Sequence, residues 1–205
     1  MSSRDEIIAS IRANRPQVAR PLPPVPQFDV NPPRSLLAAF KENLERMGGV
    51  LLDLPASGDV LSPVRTKIAN AKVVCSTVPE IAGNRDISAI GEPQELADVD
   101  FAIVRAAFAV AETGSILLDD KELRVNAVAY LAQHLIVLLD PAEILINLHH
   151  AYRRPEFRGG HYAVFHSGPS ATADIEGVLI HGAQGVRSLS VLPIAQLSGA
   201  PLAAS

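Results

Sequence analysis

Seven of the chain's sixteen prolines fall between residues 16 and 33. Each removes a backbone donor and fixes φ, so this tract cannot sit inside a helix or a central strand and favours extended polyproline conformations. It divides the chain into residues 1–34, a helix and arm too short for a core of their own, and residues 35–205, a globular domain. Ahead of the tract, Ser3-Arg4-Asp5-Glu6 has capping-box spacing and Ile7, Ile8 and Ile11 recur at helical intervals, which predicts an amphipathic helix over 4–14. A helix on such a tether can dock on its own domain, on a second copy or on another subunit, and a partner contact is favoured.

The remainder reads as alternating helices and strands. Leu36, Leu37, Phe40, Leu44 and Met47 repeat at three and four residues before Gly48-Gly49, giving a helix over 35–47. Strands are expected at 50–54, 72–76, 101–104 and 134–139, with helices at 61–70 and 126–133. Asp140-Pro141-Ala142-Glu143 has an Asp cap, a proline at the first position and a Glu three residues after the cap, which predicts another helix start. This order points to an α/β fold.

Composition narrows the function classes. The chain has 205 residues, 48% hydrophobic and 20% charged, enough for one substantial core. A net charge of −4 leaves no basic footprint for nucleic acid. There is no apolar run of bilayer length and no basic leader, so a cytoplasmic location is expected. Cys75 is the single cysteine, which excludes an intrachain disulfide and every Cys-x-x-Cys site for zinc, redox exchange or an iron–sulfur cluster. Its apolar setting reads as a structural thiol.

Two polar segments carry the candidate chemistry. A strand-like run over 161–166 leads into Ser167-Gly168-Pro169-Ser170-Ala171-Thr172-Ala173-Asp174-Ile175-Glu176. Gly168 and Pro169 break the strand, and Ser170 or Thr172 can cap a following helix whose free N–H groups and dipole would favour a phosphate or carboxylate. A capped loop with no ligand is the alternative. The second segment, 109–119, sets Glu112, Thr113, Gly114 and Ser115 between two apolar runs. This is the composition of a hairpin turn, and also of a site in which a carboxylate and two hydroxyls surround a close backbone approach.

The histidines do not form a metal site. His149 and His150 are adjacent, so on a helix they diverge by about 100°, and with Arg153 and Arg154 they suit a helix C-terminus. His161 and His166 fall on opposite faces of a strand, and no His-x-x-x-His pattern exists. His166, abutting the Ser167 loop, is a candidate to orient an anion or move a proton, or simply caps the strand. Asp174 is a loop anchor or a ligand contact, and Arg187 a fixed charge for an anion or a surface ion pair. Nucleotide-binding glycine motifs and the Gly-x-Ser-x-Gly elbow of hydrolases are missing.

In order, Ala-Glu-Thr-Gly-Ser at 111–115, Ser-Gly-Pro-Ser-Ala-Thr-Ala-Asp-Ile-Glu at 167–176 and Gly182-Ala183-Gln184-Gly185-Val186-Arg187 resemble the LUD family, and within it the LutC/YkgG branch, over residues 101–194. Two departures stand out. Gln184-Gly185-Val186-Arg187 replaces a frequent His-Gly-Pro-Arg, and the region after Asp119 is short. The resemblance implies an open α/β sheet flanked by helices, similar to the ribose-phosphate isomerase, glucosamine-phosphate deaminase and CoA-transferase group, with ligands on the carboxyl edge of the sheet. It implies a LutC-like component of a system oxidising lactate to pyruvate, with iron–sulfur clusters on LutA/LutB-like partner subunits and no cofactor on this chain. The chain would supply a small-anion pocket or an assembly surface. The implied ligand contacts are Thr113, Gly114, Ser115, His166, Ser167, Gly168, Ser170, Thr172, Asp174 and Arg187. The alternative is a stand-alone enzyme on a phosphosugar or acyl-CoA substrate with Glu112 as base or nucleophile, and a third reading is a purely structural subunit.

Overall fold

The computed structural model describes residues 2–16, 21–157, 162–173, 177–182 and 184–196. Helix α1 (Ser3–Ala13) is capped one residue earlier than the spacing suggested: Ser2 accepts from the Asp5 amide while the Asp5 carboxylate accepts from the Ser2 amide at 3.0 Å. None of its residues is buried. Residues 21–34 form neither helix nor strand, in keeping with their prolines. Helix α2 (Leu36–Arg46) starts at Ser35, whose hydroxyl accepts from the Ala38 amide, and buries Phe40 and Leu44.

The strands and helices then run β1 (Val50–Leu51), α3 (Ser62–Ile68), β2 (Val74–Ser76), β3 (Phe101–Arg105), β4 (Phe108–Val110), β5 (Ser115–Asp119), α4 (Asp120–Leu123) and α5 (Val128–Leu131). They continue as β6 (His134–Leu139), β7 (Ile144–Leu145), α6 (Leu148–Ala151), β8 (Ala163–His166), β9 (Ala171–Thr172), β10 (Ile180–His181) and β11 (Ser188–Pro193). Five strands make an all-parallel sheet in the order β1-β11-β6-β3-β2, and four make a second sheet in the order β7-β4-β5-β8.

Strand periodicity sorts the core into layers. In β3, β6 and β11, Ala102, Val104, Leu135, Val137, Leu139, Leu189 and Val191 face one core, which also takes Phe40 and Leu44 of α2 and Ile116 and Leu118 of β5. The alternate residues Ile103, Ile136, Leu138 and Leu192 face Val64 of α3. Covered on both faces, these strands read as continuous apolar runs. The outer face of the second sheet carries Phe108, Val110 and Leu117. The molecule is thus an α/β protein with a mainly parallel central sheet flanked by helices. No helix among the described residues is long and apolar enough to cross a membrane.

Among the described residues, two expected helix starts take another form. Asp140 does cap a turn, accepting from the Ala142 amide at 2.9 Å, but only a single 3-10 turn (Pro141–Glu143) forms. Ile144 and Leu145 are drawn instead into parallel pairing with Ala109 and Val110, where burial outweighs the local helix signal. Ala171 and Thr172, expected to lead into a helix after Gly168, pair antiparallel with His181 and Ile180. Among the described residues there is consequently no helix N-terminus at Ser170 or Thr172 to hold an anion.

Candidate functional site

The two polar segments meet. The ladder pairing Ile116 with His166 sets Ser115 beside Ser167, and their hydroxyl oxygens lie 2.5 Å apart. The turn at 111–114 is a hairpin connection between β4 and β5, with Gly114 at φ +64° and its amide donating to the Val110 carbonyl. Gly168 has φ +104°. A Cβ on Gly114 would lie 2.2 Å from the Leu44 nitrogen, and one on Gly168 would lie 2.1 Å from the Met47 oxygen. The close approach that both glycines permit is therefore made by the end of α2.

This geometry relocates the loops. Met47 precedes β1, and the Ser170 amide donates to the carbonyl of Val186, just before β11. The Gly168 loop therefore lies by the amino ends of the parallel strands, opposite to the carboxyl edge that the resemblance implied.

Glu112 is exposed at the tip of its turn and borders a cleft of about 200 Å³. Its carboxylate accepts from the Leu148 amide at 3.2 Å. Asn43, Ala111 and Asn147 form the walls, and Phe28, Asn31 and Pro33 of the proline arm close it. The lining offers one carboxylate and several amides but no cation, which does not complement a phosphate. The arm is held by α6: Asn147 Nδ2 donates to the Gln27 carbonyl at 2.7 Å, His150 Nε2 lies 2.7 Å from Asp29, and the Phe28 ring sits 4.7 Å from that of His149. His149 and His150 thus both contact the arm. Phe28 has φ +57°, a disfavoured value for an aromatic residue that these tethers maintain.

Asn147 is 4% exposed and also caps α6 by accepting from the His150 amide. Asn147→Ala is therefore expected to cost about 1–3 kcal/mol, combining a lost cap with an unpaired carbonyl. Hydrogen exchange should accelerate at residues 27–31 before the domain unfolds. Unchanged exchange there would show that the arm is held by other contacts.

His166 lies on β8 with its ring 5.2 Å from that of Tyr130, and its Nε2 is buried without a partner. Burial lowers its pKa to about 4, so it is neutral near pH 7. The Tyr130 and Tyr162 hydroxyls hydrogen-bond to each other, and burial followed by this bond raises the Tyr130 pKa. The Thr113 hydroxyl is likewise buried and unpartnered. Ser170 packs near Gly185, and Thr172 sits in the β9–β10 hairpin. Arg187 is exposed before β11, where it adds to burial in lowering the pKa of His134. Asp174 and His161 lie outside the described residues. Among the described residues, no group of three or more His, Cys, Asp or Glu side chains is arranged to hold a metal ion.

The carboxyl ends of the parallel strands hold polar residues that the sequence reading passed over. Arg105 ends β3 at 6% exposure and is paired through Nη2 with Glu80, in the segment after β2. Glu122 of α4 has a raised pKa, through burial first and then the charge of Asp119, opposed by Arg105. The available signal was an arginine directly following the apolar run Phe101-Ala102-Ile103-Val104.

A crystal structure of a DUF162 family protein from Deinococcus radiodurans superposes on the chain with a TM-score of 0.59 at 16% identity, covering 83% of this chain and 99% of that one. This likeness shows the shared fold. No curated protein matches the chain. The family model described as the LUD domain matches residues 91–193, just over half of the 205-residue chain and inclusive of both polar loops, so the chain belongs to the LUD-domain family.

Proposed function

We propose that this chain is the cluster-free, LutC-like component of a cytoplasmic system that oxidises lactate to pyruvate, and that it contributes an assembly surface. Membership of the LUD family supports the link to lactate utilisation. The oxidation releases two electrons and two protons, and the electrons require an acceptor centre. A single cysteine cannot furnish the usual four-cysteine set of an iron–sulfur cluster, so that acceptor is assigned to LutA/LutB-like partners.

The observation that carries the reading is α1. It is a reciprocally capped helix with no buried residue, and Ile7 and Ile11 are 60% and 65% exposed on one stripe. An isolated 11-residue helix is marginal in water, and tertiary contact normally supplies its stability. Its tether is anchored on the domain at Gln27 and Asp29, and the helix itself has no buried residue, which suits it to engage a neighbouring subunit.

The test is co-expression of the full chain with the two iron–sulfur subunits, comparing wild type with Ile7→Asp combined with Ile11→Asp. The double variant is expected to keep its melting temperature within about 1 °C, since neither side chain is buried and exposed substitutions are nearly neutral. Co-purification of the iron–sulfur subunits should fall at least tenfold, with loss of lactate-dependent electron transfer. Undiminished co-purification would remove α1 from the assembly.

A further inference from the structure

The polar cluster at the carboxyl ends of the parallel strands lies apart from both loops and from the arm. Arg105 ends β3, Thr77 and Glu80 follow β2, and Asp140 follows β6. Glu122 of α4 is within electrostatic reach of Arg105 and Glu80. The side chains of Arg105 and Glu80 are 7% and 12% exposed. An arginine and a carboxylate facing each other squarely make two parallel bonds. Here only Nη2 and Oε1 meet, and Arg105 Nη1, Glu80 Oε2 and the Thr77 hydroxyl are all buried without partners. Buried polar atoms are normally satisfied, so an orphan on each partner of one buried ion pair marks a place prepared for a further group.

We propose that Arg105 anchors a binding site for a small monocarboxylate, and that Glu80 occupies the guanidinium until this ligand displaces it. The crevice beyond the carboxyl ends of parallel strands is where open α/β sheets bind ligands. A ligand carboxylate engages both Nη groups, which one oxygen of Glu80 does not. The exchange swaps one carboxylate for another, so the buried charge beside Arg105 is conserved.

Asp119 and Asp140 are already engaged by backbone amides. Asp119 accepts from the Lys121 and Glu122 amides at 3.0 Å, and Asp140 accepts from the Ala142 and Gln196 amides at 2.9 Å. Burial and then the charge of Asp119 raise the pKa of Glu122. Val78 and Ile81, both buried, pin the segment on either side of Glu80. Release therefore needs only a rotation of the Glu80 side chain toward solvent. The site is independent of the assembly role proposed for α1.

Thermal shifts of the full-length chain test this with sodium L-lactate, pyruvate and acetate, at ionic strength held constant with chloride and with glycerol as the uncharged control. Lactate, pyruvate and acetate are expected to raise the melting temperature saturably and glycerol not at all. Glu80→Gln should lower the half-saturating lactate concentration about tenfold, because it removes the competing charge. Arg105→Gln should abolish the shift. An ordinary structural ion pair predicts the reverse for Glu80→Gln, a less stable protein with no gain in binding. The proposal is overturned if no carboxylate shifts the wild type, or if the response survives in a folded Arg105→Gln protein. Should Arg105→Gln fail to fold, Glu80→Gln decides, and an unchanged or raised half-saturating concentration refutes the displacement.

Discussion

Gly168→Ala is expected to lower the melting temperature by roughly 10 °C, corresponding to about 3–5 kcal/mol in a chain of this size. Two independent costs combine. At φ +104° any L side chain is strained, and the new methyl would sit 2.1 Å from the Met47 oxygen, a backbone atom that cannot rotate aside. Gly114→Ala meets the same pair of costs, with φ +64° and the Leu44 nitrogen at 2.2 Å. Gly58 separates the two effects: it has φ +89° but nothing within 4 Å of its missing Cβ. Gly58→Ala should therefore show the backbone penalty alone, about 1–2 kcal/mol. Urea denaturation of the three variants measures the difference. A Gly168→Ala protein no less stable than Gly58→Ala would mean that α2 does not seat on the loop.

The second large effect is a loss of stability in mild acid that depends on His166. The folded protein keeps this imidazole neutral down to about pH 4, whereas in the unfolded chain it takes up a proton near its ordinary 6.5. Protons thus favour the unfolded chain, and stability falls as pH is lowered from 6.5 toward 4. The contribution is about 3 kcal/mol across that window. His166→Phe, which keeps a ring beside Tyr130 and removes the unpartnered Nε2, should flatten this part of the profile. Unfolding free energies at pH 7, 5.5 and 4.5 provide the measurement. Parallel profiles for wild type and variant would show that His166 is hydrogen-bonded or solvated in the folded state.

The sequence made the elements visible wherever one periodicity ruled. Ser35, Phe40, Leu44 and Met47 delimit α2, and the apolar run 134–139 coincides with β6. The hairpin around Gly114 was legible in the same way, as two strand-like runs joined by a polar quartet. It misled where long-range pairing outweighed local chemistry. Asp140 and Pro141 form the expected cap, yet Ile144 is claimed by Ala109, and the residues after Gly168 find a partner strand at Ile180 rather than a helix. At the candidate site, the composition of the two loops was plain, and so was the close approach that Gly114 permits. That the approaching group is α2 was hidden, because no local pattern reports which backbone will arrive. Arg105 escaped notice since a charge ending a strand ordinarily faces solvent, and only the packing of the Glu80 segment buries it.

Both glycines bear on a helix that lies outside the matched residues 91–193. So do β1 and β2, the two border strands of the parallel sheet. The recognisable family segment is therefore not an autonomous folding unit: excised, it would present raw strand borders on β3 and β11 and leave its two signature loops without the surface that shapes them. Residues that look dispensable from the family match alone act as the mould in which its most characteristic turns are cast.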